Sequence, residues 1–146
     1  MISLQTARQL KEAGLTWRPA LLDYFAIPDR GLDERIFVIS ELLATLENIH
    51  DQSVIAFQGA SEWALDDLPT EEMVWLPRED QLRQALETTL LLTTGRPEIR
   101  VICGVDGYQC TIWRAGQPMT YKSRDLSEAY AAALLDVLRD KLTTDR

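Results

Sequence analysis

A chain of 146 residues has the length of one domain and can bury roughly 68–70% of its unfolded surface, so no disulfide or metal is needed to hold a core. Its 15 basic and 23 acidic residues leave a net charge of −8, which repels phosphate backbones and anionic lipid and excludes nucleic acid and membrane surfaces as default partners. A hydrophobic fraction of 46%, without repeats or low-complexity stretches, predicts an ordered globular protein with disorder confined to residues 143–146.

Ser3 precedes Leu4, Ala7 and Leu10 at helical spacing and Gly14 follows, which predicts a helix over residues 4–13. Tyr24-Phe25-Ala26-Ile27 is a short β-like run stopped by Pro28, and Pro28-Asp29-Arg30-Gly31 reads as a turn. Residues 35–40 and 54–57 are β-branched and aromatic and predict strands. Between them Leu42, Leu43, Leu46 and Ile49 fit a helical stripe as well as an alternating strand, so periodicity leaves residues 42–49 open. His50-Asp51-Gln52-Ser53 is a turn under either reading.

Trp63-Ala-Leu-Asp66 lies in a short amphipathic stretch, and Met73-Val-Trp-Leu76 predicts an edge strand ended by Pro77. With Pro77 at the first helical position, Glu79 and Asp80 fall in the first turn of a helix over residues 78–92, where carboxylates oppose the helix dipole favourably. Leu82, Ala85, Leu86 and Thr89 form its expected buried stripe, and Gly95-Arg96-Pro97 ends it.

Val105-Asp-Gly-Tyr108 is the pattern of a two-residue type I′ hairpin. That turn sets Cys103 opposite Cys110, Val105 opposite Tyr108 and Val101 opposite Ile112, all on one face, and on the other face Arg100 opposite Trp113 at cation–π range. A second turn at Ala115-Gly116 sets Ile112 against Met119 and Cys110 against Tyr121, which keeps the apolar set on one side and predicts a three-stranded meander. Asp125-Leu-Ser-Glu128 reads as a capping box for a helix over residues 126–141, with Tyr130, Ala133, Leu134, Val137 and Leu138 packed on the meander. The expected fold is a single α+β domain over residues 1–146. It combines an antiparallel sheet of five or more strands in two groups, one of them the C-terminal meander, with an N-terminal, a middle and a C-terminal helix.

Several strings occur together: Ile27-Pro-Asp-Arg30, Asp33, Phe37-Val38 followed by Ser40, Glu62-Trp-Ala-Leu-Asp66 and Trp75-Leu-Pro-Arg-Glu-Asp-Gln-Leu-Arg83. In these the chain resembles a family of small uncharacterised bacterial proteins, actinobacterial and Chloroflexus-like, some of which bear an automatic pilus assembly label. The resemblance covers roughly residues 2–138. It implies that residues 42–46 form a strand paired with residues 54–57, and it carries no activity and no functional residue across. A pilus ATPase-type role needs a phosphate loop, which the chain lacks.

Individual residues narrow the chemistry further. Cys103 and Cys110 could form a redox pair if opposed, but cysteine is among the most buried residue types, and two buried, reduced thiols with no disulfide are expected. His50, the sole histidine, reads as a solvated turn residue and would have to carry any imidazole chemistry. Asp66-Asp67, Glu71-Glu72 and Glu79-Asp80 lack the alternating carboxylates and central glycine of a calcium loop, so no metal site and no cofactor is expected. Apolar runs such as Leu90-Leu91-Leu92 are too short to span a bilayer and no signal-like start is present, which makes the cytoplasm the expected compartment. Trp63, Asp66, Trp75 and Arg78 are the candidate binding residues, because indoles beside an arginine are favoured anchors of interaction surfaces, although both indoles could instead fill the core. The sequence thus points to a non-enzymatic binding module for a protein or peptide, with a homodimer as one such partnership. The alternative is a small carboxylate-using hydrolase or transferase.

Overall fold

The structure, a computed structural model, describes residues 1–28, 31–32, 35–40, 44–49, 52–57 and 68–144. The fold is α+β with antiparallel sheets, and the chain forms two compact units: Met1–Leu15 together with Pro77–Arg146, and Thr16–Leu76.

In the first unit, α1 (Leu4–Glu12) starts where Ser3 Oγ accepts the Thr6 amide at 3.1 Å and buries Ala7 and Leu10. Helix α2 (Glu79–Thr94) is capped by Arg78, not begun by Pro77 as expected from the proline rule. Leu76 closes a strand, so the chain is still extended at Arg78, and Gln81 Oε1 accepts the Arg78 amide at 3.0 Å. Glu79 and Asp80 do lie in the first turn. Leu82, Leu86 and Leu90 are the buried stripe, with Ala85 and Thr89 at its margin. Gly95 ends the helix at φ 73°, as expected, although the helical residues run to Thr94 rather than to residue 92, with the Thr93 and Thr94 hydroxyls bonding back to the carbonyls of Thr89 and Leu90.

The meander forms as β7 (Ile99–Gly104), β8 (Gly107–Arg114) and β9 (Gln117–Ser123) in that order. Its first turn differs from the expectation. Gly104 pairs with Gly107, so Cys103 faces Tyr108 and Cys110 faces Val101, and the two cysteines are diagonal rather than opposed. A type I′ turn demands positive φ at both central residues, yet neither Val105 nor Asp106 has it, and the positive φ falls on the following Gly107 at 116°. The slip is by two residues, which preserves the face of every side chain. Arg100 consequently reaches Trp113 along the diagonal, with its guanidinium carbon 5.0 Å from the ring centroid. The second turn is as expected: Ala115 and Gly116 both have positive φ, Ile112 faces Met119 and Cys110 faces Tyr121.

Helix α3 (Leu126–Thr144) packs on β8, β9, α1 and α2. Burial therefore spreads beyond the expected stripe to Ala129, Ala131 and Leu135, while Leu138 is half-buried. It runs through Thr144, past the expected end at residue 141. Only half of the capping box forms: Asp125 Oδ1 accepts the Ser127 amide at 2.8 Å, but Glu128 turns away from Asp125. Its carboxylate accepts instead from the Ser3 amide at 2.6 Å and the Thr6 hydroxyl at 2.9 Å, tying the start of α1 to α3.

The second unit holds two sheets. In one, β1 (Tyr24–Ala26) lies between β2 (Phe37–Val38) and β6 (Val74–Leu76); in the other, β4 (Gln52–Phe57) lies between β3 (Ala44–Ile49) and β5 (Leu68–Pro69). Residues 44–49 are thus strand, and Leu46 opposite Ile55 agrees with the pairing implied by the resemblance. Gln52 and Ser53 belong to β4 and not to the turn, because Ile49 already pairs with Gln52. The strand expected over 35–40 contracts to two residues. Phe25, Ile27, Ile39, Ile55, Leu68 and Met73 form the core, with Trp17 and Phe37 packed against it.

Candidate functional site

Strand β7 carries the surface that is hardest to explain by folding alone. Its sole ladder partner among the described residues is β8, so its other edge presents unpaired backbone groups. Helix α3 covers β8 and β9, burying Cys110 and Ile112 completely, while Val101 and Cys103 on the same face of β7 stay exposed. Ile102, on the opposite face, is 50% exposed, and Val105 in the turn is fully exposed. The strand thus shows apolar side chains on both faces. Native sheets blunt such edges with lysine, proline, a bulge or a cover. Within β7 the sole charge is Arg100, and its guanidinium is spent on Trp113.

The opposite edge, β9, is protected by its own chemistry, since Pro118 and Lys122 interrupt it. Arg114 Nη1 donates to Asp136 Oδ2 at 2.8 Å, Tyr121 donates to the same oxygen at 2.6 Å, and Arg114 also pairs with Asp140. Burial and the Asp136 carboxylate push the Tyr121 phenol well above its ordinary range. This network clamps α3 onto the sheet.

Of the four residues singled out from the sequence, two fall among the described residues. Trp63 and Asp66 lie outside the described residues, Trp75 belongs to the second unit and Arg78 to the first. Half-buried Trp75 stacks on Trp17 with ring centroids 6.5 Å apart and planes 7° from parallel, and its Nε1 is buried without a hydrogen-bond partner. Trp17 is held by Asp23, 1% exposed, whose Oδ2 accepts from Trp17 Nε1 at 2.9 Å and from the Ala20 amide at 3.1 Å. Arg78 Nε donates to Asp80 Oδ1 at 3.3 Å, an interaction local to the helix start.

Cys103 is an exposed free thiol, contrary to the expectation of two buried ones, because α3 does not extend over β7. Cys110 is buried, and desolvation pushes its thiol up to about 11. Exposed Glu71 and Glu72 form a 3-10 turn and Glu79-Asp80 open α2. His50, Asp66 and Asp67 lie outside the described residues.

The edge at β7 escaped the sequence reading although its signal was present. A meander has two outer strands, and Ile-Arg-Val-Ile-Cys is the one without a proline or lysine. No helix among the described residues is long and apolar enough to cross a membrane. In comparisons with known proteins, no family model, no curated sequence and no solved structure matches the chain.

Proposed function

We propose that this protein is a non-enzymatic interaction module that engages another polypeptide through the outer edge of β7. The observation that carries this reading is the unguarded strand itself: apolar Val101 and Ile102 exposed on opposite faces beside an open row of backbone groups. Such an edge supplies main-chain hydrogen bonds for affinity, while side chains on alternate faces supply selectivity. An exposed free thiol at Cys103 suits a reducing compartment and supports a cytoplasmic setting.

The test is a photo-crosslinking amino acid in place of Ile102, with the same group in place of exposed Ala132 on α3 as control. Irradiation in the producing cells should give a discrete protein adduct from position 102 and none from 132. Equal labelling, or no adduct at 102, would remove β7 as an interaction surface.

A further inference from the structure

We propose that Cys103 and Cys110 form a redox switch: a small-molecule disulfide oxidises them to an intramolecular disulfide, and closing it slips β7 by two residues along β8. The two thiols lie on the same face of neighbouring strands, Cys103 facing Tyr108 and Cys110 facing Val101. Such diagonal neighbours stand about 7–8 Å apart, beyond the roughly 7 Å between Cα atoms that a disulfide spans without backbone movement. The slip carries Cys103 to the place opposite Cys110 that Val101 now holds. Directly opposed residues lie about 4.5–5.5 Å apart, within reach of the bond.

The strand that moves is the one least held: among the described residues β7 pairs with β8 alone, while α3 packs on β8 and β9. A slip by two keeps every side chain on its face. Val101 replaces Ile99 opposite Ile112, and Arg100, which now reaches Trp113 along the diagonal, comes to face it directly. Fully exposed Val105 enters the ladder opposite Tyr108. The turn changes with the register. Val105-Asp106, neither at positive φ, gives way to Asp106-Gly107, a pair suited to the two positive φ angles of a type I′ turn, and Gly107 already lies at 116°. Strand β7 travels about 7 Å, and the exposed connection from Gly95 to Glu98 takes up the shift. The chemistry follows exposure. The Cys103 thiolate attacks the small disulfide, whose S–S bond breaks to release one thiolate and leave a mixed disulfide at Cys103. Cys110, fully buried and out of register until the slip, then gives its proton to solvent and attacks the Cys103 sulfur, expelling the second thiolate. Two protein thiols are oxidised and one small disulfide is reduced to two thiols. In a reducing compartment such a bond is transient, as redox-sensing disulfides are.

Equilibration of the full chain in buffers of reduced and oxidised glutathione, with the disulfide read by mass spectrometry, tests the switch. The wild type should form the intramolecular bond under native conditions. The turn, not the sulfurs, should set its equilibrium constant. Asp106→Val should lower that constant at least about tenfold, because a β-branched residue resists the positive φ that the slipped turn demands, and Asp106→Asn should raise it. Asp106 is exposed and not at positive φ in the reduced fold, so both reduced variants should keep the wild-type circular dichroism. In the oxidised wild type, nuclear Overhauser contacts should pair Val105 with Tyr108 in place of Gly104 with Gly107. A chain that stops at glutathionylated Cys103, or joins only to other chains, overturns the proposal. So does a Cys103–Cys110 bond that leaves the Gly104–Gly107 pairing in place or is indifferent to both turn variants.

Discussion

Gly107 is the residue on which the first hairpin depends. A Cβ there would sit 2.5 Å from the Ser123 carbonyl oxygen, and the backbone already lies at φ 116°. Gly107→Ala should therefore destabilise the protein by about 2 kcal/mol or more, whereas Gly116→Ala should cost about 1 kcal/mol. The milder cost arises because no atom lies within 4 Å of the added carbon at Gly116, leaving only its φ of 79° as a penalty. Denaturant midpoints for the two variants measure the difference, and equal losses would disprove the close approach. The cysteines are distinguished just as sharply. A thiol reagent at pH about 8 should modify Cys103 in the folded protein and reach Cys110 only on unfolding. Because burial raises the Cys110 pKa to about 11, the stability that this thiol contributes is complete below its unfolded value and is lost as pH climbs through about 11.

Among the elements, α3 has the most duties, and two acids at its start carry two of them. Asp125 caps the helix, and the Met1 ammonium at 2.8 Å together with the Ser127 amide holds its carboxyl below the ordinary value. Asp125→Ala should cost about 1 kcal/mol. The contribution is present above the unfolded carboxylate pKa and lost as pH falls through the lowered folded value. Glu128→Ala should instead speed amide exchange in α1 with little effect on β8, because its carboxylate accepts from Ser3 and Thr6. The capping pattern at residues 125–128 was legible, yet the choice made by Glu128 was not. A side chain reaches for its own helix unless another backbone offers a donor, and that donor, Ser3, is distant in sequence.

At the scale of the whole molecule, each unit has its own core, around Phe25 and Ile55 in one and around Leu86, Ile112 and Leu134 in the other. Asp23→Ala removes the buried acceptor of Trp17 Nε1 and should cost about 1–3 kcal/mol. Native-state hydrogen exchange should show the loss first in β1 and β6, with α3 amides still protected. Simultaneous loss in α3 would mean that the two units open together.

Local chemistry already determined most elements in the sequence. Ser3 and Gly14 bound α1, Ala115-Gly116 sets the β8–β9 register and Gly95 stops α2, because caps and tight turns depend on a few adjacent residues and their φ preferences. Tertiary structure decided what adjacent residues leave degenerate. Residues 44–49 became strand because β4 pairs with them, and the β7–β8 register slipped by two because either register keeps the same face inward. Which outer strand of the meander stays bare was settled by where α3 lies, over β8 and β9, and that placement rests on contacts between residues far apart in the chain.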